Sequence, residues 1–216
     1  AVRQNCLALA FASRGVVLEA VRQNDWALEF ASEELQGDKG VVLEAVNKNA
    51  GALRYASPAF KGDKDVVLAA VRQNGLALKF ASPELRGDKE VVLAAVRQNG
   101  LALAFASDDW KADEEVVIAA VRKNGLALQY ASPALKGDED VVMAAVKQNG
   151  SALLYAAEEL QYDPDIVKTA IAEDASVISG FSRETVILAV SFSGMNLQHA
   201  SAALRGDKVV VLDAVK

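Results

Sequence analysis

The chain has 216 residues, 52% of them hydrophobic, and a net charge of −6 at neutral pH. That is apolar material enough for a sizeable core, and the acidic balance offers no electrostatic footprint for nucleic acid, which normally needs a basic face. A lone cysteine, Cys6, excludes an internal disulfide framework and a cysteine-based zinc site, and fits a reducing compartment, intracellular or organellar. No apolar run approaches the roughly 18 residues that would span a bilayer.

Taken in order, the chain opens partway through a helix at Ala1 and reaches a polar stop at Asn5. The same stop returns at Asn24, Asn49, Asn74, Asn99, Asn124 and Asn149, then as Asp174 and Ser193. The step is 25 residues throughout the middle and 19 at both ends, giving nine copies of one unit. A period of this size sustained over a whole chain is the mark of a solenoid, in which each unit buries its apolar face against its neighbours. The pattern predicts an all-α, right-handed α-solenoid of about nine short two-helix repeats. It forms a single continuous array over residues 1–216, read as a window of a longer protein because Ala1 and Lys216 both fall inside helices.

Asp63 to Gly87 serves as the template unit. Asp63 is a good N-cap, its carboxylate suited to the free amides and positive end of a first turn. Val66, Val67, Leu68, Ala70 and Val71 give a helix over Lys64 to Gln73 with more than half its circumference apolar, and Asn74-Gly75 closes it with a left-handed cap. A second helix is predicted from Leu76 to Ala81. Ser82-Pro83-Glu84-Leu85 then starts a last short turn, of 3₁₀ geometry, that Gly87 ends.

Equivalent positions form columns. The aromatic column, Phe11, Phe30, Tyr55, Phe80, Phe105, Tyr130 and Tyr155, reads as a core spine rather than a cradle for planar ligands. The lone histidine, His199, stands in it and reads as a partly buried imidazole, not a metal ligand or base. The Asn column is expected to turn inward and bridge successive repeats as a polar ladder. Arg3, Arg22, Arg72, Arg97, Arg122 and Lys147 face outward among acids such as Asp65 and Glu90, as a solvated face would. The carboxylates repeat as caps instead of converging in pairs, and no phosphate loop, dinucleotide fingerprint or nucleophile triad is present. No catalytic, cofactor-binding or metal-ligating residue is assigned.

Two places depart from the pattern. Ser13-Arg14-Gly15-Val16 and Ser182-Arg183-Glu184-Thr185 each replace a connection like Ser82 through Glu90, which deletes a helical turn. They read as natural deletions or as residues lost from the sequence, and the recurrence favours deletion. Between Ser151 and Phe192 the columns loosen: Leu154 stands where other units carry Glu29, Arg54 or Lys79, Tyr162 replaces a glycine, and Phe192 a glutamine. Apolar residues in polar columns mark a partner-binding patch of Leu154, Tyr162 and Phe192; plain repeat decay is the equal alternative.

The phrase Asp-Lys-Glu-Val-Val-Leu-Ala-Ala-Val-Arg-Gln-Asn-Gly-Leu-Ala-Leu, Asp88 to Leu103, closely resembles the repeat family known as domain of unknown function 4116. The resemblance covers nearly all of the chain and is weakest from Asp163 to Ser193. It implies tandem helical repeats of the kind found in long arrays in microalgae, other protists and some bacteria, host-directed effectors included, with no assigned activity or site. The expected function is a non-enzymatic scaffold or linker for protein partners, as a subunit of a larger assembly. For an algal member that includes an organellar energy-converting complex. The alternatives are an RNA-binding repeat module and the accessory repeat region of an enzyme or effector.

Overall fold

The computed structural model describes residues 7–24 and 26–216; the readings at Ala1, Arg3, Asn5 and Cys6 lie outside the described residues. The chain divides into two compact units, Ala1–Trp110 and Lys111–Lys216. Each is built from one three-part repeat, and the described residues contain no strand, the Val-Val pairs included.

The long helix of the template unit is Lys64–Gln73, as the caps and periodicity predict, with Asp63 accepting hydrogen bonds from the Asp65 and Val66 amides. The remainder of the unit departs from expectation. Gly75–Phe80 is a 3₁₀ helix, and Pro83–Arg86 is a single α-helical turn with Ser82 as its cap, so the 3₁₀ and α geometries are exchanged. Asn74 is extended, with φ −146° and ψ 107°, and among the described residues no φ is positive, glycines included. The Asn-Gly pair is therefore not a left-handed cap. Asn74 instead accepts from the Leu76 amide at 3.0 Å, capping the 3₁₀ segment after it. It is exposed, and its equivalents at 49, 99, 124 and 149 are half-buried, so the column does not turn into the core.

The glycine has a different reason. A Cβ on Gly75 would run into the carbonyl oxygen of Ala95 in the next long helix, and Gly125 and Gly150 meet Ala145 and Ala170 in the same way. Close approach of two backbones, not an unusual φ, selects glycine there. Ala50 and Ala175 occupy the same position in other repeats, so that closeness belongs to the glycine-bearing ones.

The 3₁₀ geometry decides what is core. At three residues per turn, positions i and i+3 share a face, so Gly75, Leu78 and Ala81 point the same way and are buried. Leu28, Leu53, Leu78, Leu103, Leu128 and Leu153 are each at most 1% exposed and form the spine together with the valines of the long helices. The aromatic column sits two residues on, at the margin: Phe30, Tyr55, Phe80, Phe105 and Tyr130 are half-buried and Phe11 is 94% exposed. The core-spine reading of that column is wrong because it applied α-helical phase to a 3₁₀ segment.

Within the first unit, Arg14–Gln23, Lys39–Lys48, Lys64–Gln73 and Lys89–Gln98 pack in succession, and the 3₁₀ segments Ala27–Phe30, Ala50–Tyr55, Gly75–Phe80 and Gly100–Phe105 do likewise. Within the second unit, Glu114–Lys123, Glu139–Gln148, Pro164–Glu173, Arg183–Phe192 and Lys208–Ala214 repeat the arrangement. This is an all-α repeat solenoid fold, with helices packing neighbour to neighbour.

Polar ladders set the register. At the start of each short helix, an amide donates to the last carbonyl of the preceding one: Ser57 to Gln36, Ser82 to Lys61 and Ser107 to Arg86 in the first unit, Ser132 to Lys111 and Ala157 to Lys136 in the second, all at 2.8–3.0 Å. At the far end of the long helices the rung is glutamine. Gln73 accepts from the Ala50 amide at 2.5 Å and donates to the Asn47 carbonyl at 2.8 Å. Gln98 accepts from Gly75 and donates to Gln73, and Gln148 accepts from the Gly125 amide. These amides start a 3₁₀ segment and have no partner within it, so the neighbouring glutamine satisfies them. The bridging role expected of asparagine thus belongs to the residue before it.

The shortened unit at Ser182 closes without loose ends. Arg183–Phe192 follows the 3₁₀ segment Ala175–Gly180 directly, and the missing short helix takes its capping amide with it. Thr185, 1% exposed, replaces that donor: its hydroxyl lies 3.2 Å from the Gln161 carbonyl. Phe181, in a column that is otherwise alanine, is 7% exposed and supplies apolar bulk where no short helix contributes any. The deletion is accommodated as part of the fold.

Candidate functional site

In the template 3₁₀ segment Gly75, Ala77 and Leu78 are buried, which leaves the columns of Leu76 and Lys79 for the surface, with Phe80 at the margin. In the first unit, Trp26, Gly51 and Leu76 are equivalent, as are Glu29, Arg54 and Lys79; the aromatic rings flank the second set. Trp26, 52% exposed, is the one aromatic residue of its column, and Gly51 beside it has no side chain. The gap between Trp26 and Leu76 is therefore a groove, of about 210 Å³, floored by Gly51 and Ala52 and lined by Tyr55 and Phe80, with Asn49 and Asn74 along it.

Charge and aromaticity meet at its rim. The Trp26 and Tyr55 ring centroids are 6.4 Å apart at a tilt of 58°. Arg54 lies over the Tyr55 ring with Cζ 4.9 Å from its centroid, and Lys79 Nζ lies 4.8 Å from that of Phe80. Such cation–π contacts hold the charged group in place without neutralising it. No carboxylate among the described residues forms an ion pair with Arg54 or Lys79.

At the starts of the long helices of the same unit the cations are paired. The first residue of each long helix reaches the N-cap aspartate of the next: Arg14 to Asp38 at 2.8 Å, Lys39 to Asp63 at 2.7 Å and Lys64 to Asp88 at 2.8 Å. The hydrogen bond from each cation holds its aspartate below the ordinary carboxylate range, with the first-turn amides adding to the effect. In the second unit, Arg183 holds Asp207 in the same way, down to about 2. The outward Arg22 pairs with Glu44 at 3.1 Å.

The three residues singled out in the second unit fall on three elements. Leu154, in the 3₁₀ segment Gly150–Tyr155, is 40% exposed and leans over Gly180, where a Cβ would stand 3.2 Å from its Cδ1. Gly180 occupies the aromatic column, so Leu154 covers the place a ring fills in other repeats. Tyr162 ends the 3₁₀ segment Glu158–Tyr162 and is half-buried. Phe192, 40% exposed, ends the helix Arg183–Phe192 in the column that carries glutamine rungs elsewhere. Thr185 and Gln161 join the starts of two successive long helices, so Phe192 lies a helix length, about 15 Å, from the edge that holds Tyr162. The structure does not bring all three into one patch. His199, half-buried, stands in the aromatic column as expected, and no group of metal-ligating residues occurs among the described residues.

Sequence reasoning passed over Trp26, Gly51, Arg54 and Lys79. The signal was present: a tryptophan and a glycine at one position of successive repeats, beside two cations at another. The 3₁₀ phase stacks those two columns, three residues apart, on one face.

Against known proteins, the family described as Domain of unknown function (DUF4116) matches residues 1–36, 13–61, 38–86, 63–111, 88–136 and 138–181. Five of these segments begin at the cap positions Ser13, Asp38, Asp63, Asp88 and Asp138, in step with the repeat. No curated protein and no solved structure matches the chain. No helix of the described residues is long and apolar enough to cross a membrane.

Proposed function

We propose that this chain, which belongs to the DUF4116 repeat family, is a non-enzymatic scaffold that binds protein partners on the 3₁₀ face of its repeats. The observation that carries the reading is the groove between Trp26 and Leu76, where a half-exposed tryptophan and two cations without carboxylate partners line one concave surface. A buried aromatic with an adjacent arginine is the usual anchor of a protein interface. Leu154 and Phe192, both accessible, are a second contact region on the other unit, with Tyr162 in a lesser role.

The test is co-purification of the chain from its native source in two forms, wild type and Trp26→Ser/Tyr55→Ser. The scaffold reading expects a stoichiometric protein partner that the double variant loses while its circular dichroism stays unchanged. Recovery of the same partner by both forms would move the interface off this face, and the absence of any stoichiometric protein would sink the reading.

A further inference from the structure

Building on that reading, we infer that the groove takes an extended acidic peptide segment in which an apolar or aromatic side chain is flanked by two carboxylates. Size points to a single inserted side chain. At about 210 Å³ the groove is smaller than the ~300 Å³ at which small-molecule sites usually begin. Its floor at Gly51 and Ala52 and its walls of Trp26, Tyr55, Leu76 and Phe80 make that side chain apolar.

Charge and spacing supply the flanking acids. Arg54 and Lys79 occupy the same position in successive 3₁₀ segments that pack against each other, so they stand about 8–10 Å apart, the usual distance between packed helices. A peptide in the extended polyproline II conformation advances about 3.1 Å per residue with about three residues per turn, so two carboxylates three positions apart lie on one side and span that interval. Both cations are already held against rings, which lowers the ordering cost of binding. Asn74 commits its Oδ1 to the Leu76 amide and keeps its NH₂ as a donor for a peptide carbonyl at one end of the groove. Glu29 stands one repeat before Arg54 in the same column and limits the acidic segment on that side.

Ring accessibility separates a peptide from a nucleic acid strand. Base stacking along a strand needs a run of open ring faces, and one face each of Tyr55 and Phe80 is covered, by Arg54 and Lys79. Carboxylates on a short segment reach the two cations without displacing either.

The experiment is fluorescence anisotropy on the full chain with a labelled peptide, Gly-Ser-Glu-Phe-Gly-Glu-Gly-Ser. The same peptide with both glutamates changed to glutamine and a labelled twelve-nucleotide oligouridylate are the comparators. The inference expects the glutamate peptide to bind at least tenfold more tightly than the glutamine one, and to weaken at least tenfold on Arg54→Gln/Lys79→Gln or as salt is raised. Both cations are at the surface, so these variants keep the fold, which circular dichroism checks. Equal binding of the two peptides, no binding of either, or preferred binding of the oligouridylate would overturn it. A native partner lost by the Trp26→Ser/Tyr55→Ser variant but kept by Arg54→Gln/Lys79→Gln would also reject the acidic segment, while leaving the scaffold reading standing.

Discussion

The two units share a core and differ in what surrounds it. Leu53, Leu78 and Leu103 in the first match Leu128, Leu153 and Ile178 in the second, all at most 1% exposed, and the valine pairs Val41-Val42, Val66-Val67 and Val91-Val92 of the first are buried like Val116-Val117 and Val141-Val142 of the second. At the first position of the long helix, however, the first unit has Arg14, Lys39 and Lys64 paired with the next aspartate. The second has Glu114, Glu139 and Pro164 before a cation returns at Arg183. The outward 3₁₀ column carries Arg54 and Lys79 in one unit and Gln129, Leu154, Ser179 and Gln198 in the other. The repeat needs its caps, its leucine spine and its backbone ladders; the outward columns are free to diverge, and there the units acquire different chemistry.

The sharpest challenge to this comparison is at the spine. Leu78→Ala and Leu153→Ala should each destabilise by about 2–5 kcal/mol, since both leucines are fully buried. Phe80→Ala should cost clearly less than Leu78→Ala, because its ring is only half covered. Denaturant unfolding checks this, with a fit that allows partial unfolding of a repeat array. A larger loss at Phe80 than at Leu78 would return the aromatic column to the core and break the assignment of faces.

Next come the contacts between successive repeats. Gly125→Ala forces a methyl against the Ala145 carbonyl and should cost about 1–3 kcal/mol, whereas Gly62→Ala, whose nearest contact is an ordinary 3.6 Å, should be close to neutral. Gln98→Ala leaves the buried Gly75 amide without its acceptor and should cost about 1–3 kcal/mol. Thermal melts of the three variants decide it. Equal stabilities would mean that the repeats shift apart readily and that these contacts do not set the register.

The smallest effect is electrostatic. Asp38, Asp63 and Asp88 have folded values below 3.8, so their contribution is fully present above that pH and is lost as pH falls through the depressed folded values. For Asp207 that window runs from 3.8 down to about 2. Asp63→Asn keeps a good N-cap but removes the charge, so it should lower stability slightly at neutral pH, leave it unchanged in acid and thereby flatten the acid limb. An unchanged acid limb, followed by circular dichroism, would show that the ion-pair ladder contributes nothing measurable.

The period, the long helix Lys64–Gln73 and its aspartate cap were legible because they rest on local rules: spacing, capping and helical amphipathicity. The second segment was misread because Gly-Leu-Ala-Leu-Lys-Phe is equally apolar in α and 3₁₀ phase, and only packing against the next repeat selects between them. That one difference moved Phe80 to the margin and hid the groove at Gly51. The bridging role of Gln73 left no local signal because its partners, Ala50 and Asn47, are more than twenty positions away. Leu154 and Phe192 stood out correctly as apolar and accessible; that Leu154 covers Gly180 depends on a contact no column reveals.

The central claim is that the 3₁₀ face meets the partner. Hydrogen–deuterium exchange of the chain, alone and saturated with a stoichiometrically co-purified native partner, reads that face segment by segment. Added protection is expected in the 3₁₀ segments Ala50–Tyr55 and Gly75–Phe80, with little change at Arg72, Arg97 or Arg122. Protection confined to the long helices, with none over residues 49–80, would contradict it.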